Sequence, residues 1–297
     1  MAEEVLKITR QPNYAVLTLN RPEKRNALNQ PLIEALNQAL AKFENDREIR
    51  ALLLRGEGAS FCAGVDLKEV DEQGGGHNPT SLEFVFGRLE RFPVPTIAAI
   101  QGAALAGGLE LALHCDLRIA SDNARLGMTL GRVGLMVPYD FTRKLIEVCG
   151  SANTAWILYT ADLLDAQQGK HMNIVHDVVA DAKLGEATTA LAEKIAANAP
   201  LSLRAMKATV RRCMSETFDA WHDDMLQLAR LVRASEDAKE GVRAFLRSAS
   251  PSGRRNSYSE WRPSAVRIAV ALWSSVLGRF RVPATFEYGY RRALMCA

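Results

Sequence analysis

The sequence predicts an α/β fold, in which short buried strands alternate with amphipathic helices. Apolar runs at residues 51–54 and 96–100 are typical of strands covered on both faces. Apolar residues recur at helical spacing through residues 31–43. From residue 140 to residue 246, most segments also have helical spacing. These patterns predict a layered core of strands and helices that is followed by a helical region.

Each element has its own signal in the sequence. The first two strands, at residues 5–9 and 15–19, alternate between apolar and polar side chains, and Gln11-Pro12-Asn13 forms the turn between them. Two later strands, at residues 96–100 and 117–120, flank a helix that begins with glycines. Further helices are predicted at residues 81–91, 140–149, 152–159, 165–171, 184–198, 201–214, 217–234 and 236–246.

The most informative segment contains two consecutive glycines, Gly107 and Gly108, before an apolar helical run that includes Glu110. Glycine lets the backbone approach a ligand closely, and the first turn of a helix presents N–H groups without partners. Such a corner can stabilise a developing oxyanion. Burial among leucines would raise the pKa of Glu110 and suit it to proton transfer. From the residues alone, close packing at the glycines and a solvated carboxylate remain alternative interpretations.

A second segment of small residues, Phe61-Cys62-Ala63-Gly64-Val65-Asp66-Leu67, follows the strand at residues 51–54. Together with residues 20–28 (NRPEKRNAL) and 100–121, in this order and spacing, it resembles the crotonase superfamily, the enoyl-CoA hydratase/isomerase family. The resemblance implies a crotonase-like spiral core of repeated ββα units and assembly into homotrimers or homohexamers. It divides the chain into a core domain (1–195), a helical trimerisation region (196–246) and an atypical tail (247–297).

The resemblance also implies an activity and a set of site residues. The expected reaction is the reversible hydration of a 2-enoyl-CoA to a 3-hydroxyacyl-CoA through a thioester enolate. The enolate oxygen would be held by the main-chain amides of Val65 and Gly107, and Glu110 would move the proton. No metal or redox cofactor is expected, because CoA enters as part of the acyl-CoA substrate. The residues expected to contact CoA are Arg25, Ala27, Leu28, Ala63, Asp66, Leu67 and Lys68, although Asp66 is also suited to fixing the local backbone.

One position departs from the hydratase pattern. Counted from Glu110, the place of the second hydratase glutamate is taken by Leu130, which can neither donate nor accept a proton. Asp140 is a candidate replacement, and its alternative role is to cap the helix that follows it. The departure leaves two other functions open. These are double-bond isomerisation with a single glutamate, and a catalytically decayed scaffold that binds CoA or RNA.

Composition excludes several other classes of protein. The chain has 297 residues, of which 48% are hydrophobic and 24% charged, as in ordinary soluble proteins. Its five cysteines form no CxxC pair, which argues against a zinc site and for a reducing compartment such as the cytoplasm. No apolar run is long enough to span a membrane, and the acidic start of the chain does not resemble a secretory signal.

The tail differs sharply in composition from the rest of the chain. Residues 247–297 contain nine arginines and two acidic residues, so the preceding 246 residues carry a net charge of −4. The mildly acidic body makes nucleic acid an improbable partner. For the tail, a change of reading frame, a basic amphipathic extension and an RNA contact are the three explanations left open.

Overall fold

The computed structural model describes residues 4–66, 79–133 and 137–214. Its strands are β1 (Leu6–Arg10), β2 (Tyr14–Leu19), β3 (Ala51–Gly56), β4 (Thr96–Ile100), β5 (Ala103–Leu105), β6 (Leu117–Ser121), β7 (Arg125–Gly127), β8 (Leu164–Asp165) and β9 (Asp177–Val179). Its α-helices are α1 (Gln30–Glu44), α2 (Pro79–Glu90), α3 (Gly107–Leu113), α4 (Tyr139–Thr160), α5 (Ala166–His171), α6 (Leu184–Ala196) and α7 (Pro200–Cys213). None of the helices described is long and apolar enough to cross a membrane.

Six of these strands form the main sheet, in the order β1-β2-β3-β4-β6-β9. Strand β1 is antiparallel to β2, with Leu6 opposite Leu19, and every other neighbouring pair is parallel. The parallel strands β2 and β4 are buried along their whole length, as expected for strands covered on both faces. Strands β5, β7 and β8 form a second, smaller sheet. The predicted α/β class is therefore confirmed.

Helix α1 illustrates how the sequence determines an element. Asn29 precedes it, and the Asn29 side chain accepts a hydrogen bond from the Leu32 nitrogen at 3.2 Å. Pro31 occupies the first turn, where a missing N–H costs nothing. The apolar stripe that predicted the helix is the buried face, comprising Leu32, Ile33, Leu36, Ala39, Leu40 and Phe43.

The strands that sequence patterns did not predict are short. Strands β5, β7, β8 and β9 have at most three residues each, too few to display a periodicity. The two helices predicted at 140–149 and 152–159 are one element, α4, which is interrupted at Gly150 by a non-helical φ of 76°. The helices predicted at 217–234 and 236–246, and the tail, lie outside the described residues.

A partly buried ion pair connects α7 to the core. Lys207 Nζ donates to Asp116 Oδ2 at 2.6 Å and to the Val94 carbonyl at 3.0 Å. The same Asp116 oxygen accepts from the main-chain nitrogen and hydroxyl of Thr96, at 2.7 and 2.8 Å. Asp116 therefore fastens the start of β4 to the segment that follows α3.

The turn into α3 is conformationally demanding. Ala106 precedes the helix with φ 46° and ψ −119°, a region that residues with a Cβ rarely adopt. At Gly108 the helix approaches the preceding loop so closely that a Cβ would lie 2.1 Å from the Cys62 carbonyl oxygen. The position of α3 therefore depends on a glycine at 108 and on strain at Ala106.

We predict that Ala106→Gly stabilises the protein, because glycine adopts this conformation without steric cost. The free energy of unfolding, measured by equilibrium urea denaturation, should rise by about 0.5–1 kcal/mol. Ala190→Gly, at an exposed position inside α6, is the matched control and should lower it by about 1 kcal/mol. A loss of stability at both positions would contradict the strain assigned to Ala106.

Candidate active site

Two loop segments pair to form one wall of the candidate site. The Leu28 nitrogen donates to the Gly64 carbonyl at 2.8 Å, and the Asp66 nitrogen donates to the Leu28 carbonyl at 2.9 Å. The Ala63 nitrogen also donates to the Arg25 carbonyl at 3.0 Å. This short parallel pairing uses the Gly64 carbonyl and the Asp66 amide, on either side of Val65, but leaves the Val65 amide itself out of the ladder.

Asn26 and Arg21 hold this wall in place. The wholly buried Asn26 side chain donates to the carbonyls of Ser60 and Glu57, at 2.7 and 2.9 Å, and accepts from the Arg21 nitrogen at 2.9 Å. Arg21 Nη2 forms an ion pair with Asp66 Oδ2 at 3.1 Å. Sequence reasoning did not single out Asn26. The available signal was an asparagine within a polar turn, since asparagine tolerates the positive φ of 55° found here.

The amides of Val65 and Gly107 flank one small space. A Cβ placed on Gly107 would lie 3.6 Å from the Val65 nitrogen, and one placed on Gly64 would lie 3.5 Å from the Gly107 nitrogen. Gly107 is the first residue of α3, so its N–H has no acceptor within the helix. Neither nitrogen donates to any residue that the structure describes. Among the described residues, these two buried or half-buried donors are thus left without an acceptor and are available to bind a ligand oxygen.

Glu110 lies one turn into α3, close to these donors. The residue is 7% exposed, and its carboxylate has no hydrogen-bond partner among the described residues. Burial, followed by the negative charges of Glu83 and Asp140, raises the pKa of Glu110 to about 8. A carboxyl group with this pKa exchanges protons readily near neutral pH. The desolvation expected from its leucine neighbours is present.

His114, one turn further along α3, supports the backbone of Glu110. Its Nδ1–H donates to the Glu110 carbonyl oxygen at 2.9 Å, and its ring stacks on Phe86 of α2 at a centroid distance of 5.2 Å. Burial lowers the pKa of His114 to about 4, so the ring is neutral at physiological pH. His114 therefore supports the helix that carries Glu110 through packing and a main-chain hydrogen bond.

Leu130, which departs from the hydratase pattern, and Asp140, its candidate replacement, lie on successive elements. Leu130 begins a short 3₁₀ turn, Leu130–Val133, and packs half-buried against the hydrophobic core. Asp140 lies exposed in the first turn of α4. The capping role considered for Asp140 is wrong, because Pro138 occupies the N-cap position and no side chain caps the helix. Asp140 instead lies near enough to Glu110 to raise its pKa.

The predicted CoA-contacting residues fall into three groups. Ala63, Ala27 and Leu28 lie along the paired wall, and the Leu28 Cδ1 would be 3.6 Å from a Cβ on Gly107. Arg25 is exposed at the edge of this wall, whereas the Asp66 carboxylate forms an ion pair with Arg21. Leu67 and Lys68 lie outside the described residues. Within the described ranges, no group of three His, Cys, Asp or Glu side chains is arranged to hold a metal ion.

Comparison with known proteins agrees with the resemblance seen in the sequence. The family model for enoyl-CoA hydratase/isomerase matches residues 9–252. The 2,3-dehydroadipyl-CoA hydratase of Escherichia coli (strain K12) is 35% identical over 248 residues, covering 83% of this chain and 97% of that protein. The short-chain-enoyl-CoA hydratase of Clostridium acetobutylicum is 32% identical over 256 residues, covering 84% and 97% respectively.

Solved structures show the same relationship. The crystal structure of an enoyl-CoA hydratase from Bacillus anthracis is similar with a TM-score of 0.79 and 30% sequence identity, covering 85% of this chain and 100% of that one. The chain therefore belongs to the enoyl-CoA hydratase/isomerase family and has the crotonase fold.

Proposed function

We propose that this enzyme catalyses the reversible addition of water to a 2-enoyl-CoA, giving a 3-hydroxyacyl-CoA. The observation that carries the proposal is the pair of unused amides at Val65 and Gly107 next to the unpaired, buried carboxylate of Glu110. The names of the Escherichia coli and Clostridium acetobutylicum relatives describe hydration of enoyl-CoA thioesters and support the same reaction.

In the proposed mechanism the thioester carbonyl oxygen accepts hydrogen bonds from both amides. The Glu110 carboxylate takes a proton from water as the water oxygen bonds to C3, and the C2–C3 π electrons move into the thioester to form an enolate. Each amide donor of this kind is worth about 2.7–4 kcal/mol of the barrier. A proton then adds to C2, from Glu110 itself or from Asp140, which is our candidate for the missing second acid.

Isomerisation is the second candidate, and Leu130 favours it. Moving a double bond between C3–C4 and C2–C3 requires one base that carries a proton from C2 to C4, and the same enolate lies between the two forms. Glu110 alone could do this, so the absence of a second glutamate is no obstacle. Assaying but-2-enoyl-CoA and a 3-enoyl-CoA with the same preparation separates the two reactions.

We also propose that the CoA moiety lies along the wall formed by Arg25, Ala27, Leu28, Ala63 and Asp66. Leu67 and Lys68, which lie outside the described residues, remain expected CoA contacts. No other cofactor takes part in the proposed step.

Assembly into a homotrimer or homohexamer would cover large apolar side chains that α4 and α7 expose, namely Trp156, Tyr159, Met206 and Val210. Four cysteines that the structure describes are free thiols, which supports a cytoplasmic location.

Replacement of Glu110 by Gln should abolish the reaction while retaining the fold. Glutamine preserves the volume but cannot take a proton, so kcat/KM for but-2-enoyl-CoA should fall by at least about 100-fold. The measurement follows the loss of the conjugated thioester absorbance. Glu186→Gln, an exposed carboxylate in the first turn of α6, is the matched control and should retain full activity. Full activity in Glu110→Gln would remove this residue from the mechanism.

Two adjacent glycines provide a test of the amide pair. A Cβ at Gly107 would lie 3.3 Å from Val65 Cγ2 and within the space between the two donors. Gly107→Ala should therefore reduce kcat/KM on the order of 100-fold with little change in unfolding. Gly108→Ala, whose Cβ would meet the Cys62 carbonyl, should instead destabilise the fold. Unchanged kcat/KM in Gly107→Ala would argue against an oxyanion at this position.

The raised pKa of Glu110 predicts the pH dependence of hydration. Only the ionised carboxylate can take a proton from water, and the group becomes ionised as pH rises through about 8. In the hydration direction kcat/KM should therefore increase up to about pH 8 and then level off. The profile is measured with but-2-enoyl-CoA at constant ionic strength. A profile that is flat from pH 6 to 9 would exclude Glu110 as the base.

A further inference from the structure

The chain that leads into α3 holds the first half of the loop at residues 61–66. The Phe61 and Cys62 nitrogens donate to the carbonyls of Gln101 and Ala103, at 2.7 and 2.9 Å. Both Phe61 and Cys62 are completely buried. Because Ala103 belongs to β5, which ends shortly before α3, this half of the loop is fixed relative to the start of that helix.

The second half of the loop, which contains Val65, pairs with Leu28 instead. The Leu28 nitrogen donates to the Gly64 carbonyl at 2.8 Å, and the Asp66 nitrogen donates to the Leu28 carbonyl at 2.9 Å. Gly64 and Val65 share one trans peptide group, whose C=O and N–H point in opposite directions. The bond from Leu28 to the Gly64 carbonyl therefore sets the direction of the Val65 N–H, which points away from the Leu28 main chain. This N–H is one of the two unused donors beside Gly107.

The Arg21 guanidinium connects the two segments that make this pairing. Its Nη1 donates to the Ala27 carbonyl at 2.5 Å, and its Nη2 donates to Asp66 Oδ2 at 3.1 Å. One contact is made just before Leu28 in the first segment, and the other just after Val65 in the second. The side chains of Arg21 and Asp66 are only 13% and 18% exposed, so solvent ions screen the pair little. The planar fork of an arginine is suited to holding two acceptors at once.

We propose that Arg21 and Asp66 are a pair of positioning residues, which keep the Val65 N–H aimed at the oxygen of the bound thioester. A main-chain donor has no side chain to orient it, and its value in catalysis depends on being oriented before the reaction begins. The Asp66 carboxylate thus acts through Arg21, and only its main chain lines the wall proposed for CoA. The inference rests on the proposed function, since it assumes that a thioester oxygen binds at Val65.

Asp66→Asn separates positioning from CoA binding, because it removes the charge of the pair and keeps the size of the side chain. The Val65 donor is misaligned rather than lost, so kcat for but-2-enoyl-CoA should fall on the order of tenfold. The Kd for free CoA, measured by calorimetry, should stay within about twofold of the wild type. Glu23→Gln, an exposed carboxylate in the turn Pro22–Lys24 of the same segment, is the matched control and should change neither value.

Two substitutions of Arg21 test whether the residues act together. Arg21→Gln should lower kcat at least as much as Asp66→Asn, and the double variant should be no slower than Arg21→Gln, because both changes break the same contact. Arg21→Lys keeps the charge but not the fork, so it should recover part of the loss. Losses of kcat that multiply in the double variant would show independent roles and overturn the pairing.

The absorbance of a bound thioester gives a readout that does not depend on turnover. The probe is 4-aminocinnamoyl-CoA, whose absorbance moves to longer wavelength when hydrogen bonds draw negative charge onto its carbonyl oxygen. This shift should be largest in the wild type and Glu23→Gln, and smaller in Asp66→Asn and Arg21→Gln, with circular dichroism checking that each variant is folded. If the wild type hydrates no enoyl-CoA, the proposed function fails, and the shift still decides the role of the pair. An unchanged shift in Asp66→Asn, together with weaker binding of free CoA, would make Asp66 a CoA contact and overturn the inference.

Discussion

The close contact between the start of α3 and the segment Cys62–Val65 is the constraint on which the site depends. It brings the helix within a distance at which only glycine fits at position 108. Once the backbones are this close, the Val65 and Gly107 amides are pointed into one space, without any side chain being required for the purpose. The cost is the strained turn at Ala106, which the Ala106 nitrogen offsets in part by donating to the Gly127 carbonyl at 2.8 Å.

A second cost follows from placing a carboxylate beside those amides. Raising the pKa of Glu110 from 4.5 to about 8 means that the folded state binds its proton more tightly than the unfolded chain does. The free energy of unfolding therefore declines as pH rises through this interval, by at most about 5 kcal/mol for the full shift. The rest of the structure must supply this energy, and the partly buried Lys207–Asp116 pair and the His114–Phe86 stack both lie at the C-terminal end of the helix that requires it.

Sequence reasoning could reach those parts of the molecule whose signal is local. Three such signals are complete within a short stretch of sequence. They are the apolar stripe of α1, the continuous apolar run of β4 and the glycines before Glu110. Asn26 was missed because two of its hydrogen-bond partners, the Glu57 and Ser60 carbonyls, are distant in sequence. The third, the Arg21 nitrogen, reaches Asn26 only because the intervening chain forms a turn. Strands β7 and β9 were missed because they are strands only by virtue of their pairing with β5 and β6, and their own three residues show no strand pattern.

The acidic surroundings of Glu110 show the same limit at the level of chemistry. Compared with the hydratase pattern, the chain has a leucine where a glutamate is expected at position 130. Reasoning from that position alone predicts an impaired site. Folding brings Glu83 and Asp140, which are separated by 57 positions, close enough to Glu110 for both charges to act on it. What a site can accept is set by the sum of the charges on all the elements that meet there. The leucine at position 130 has therefore to be considered together with the carboxylates on two other helices whose charges reach Glu110.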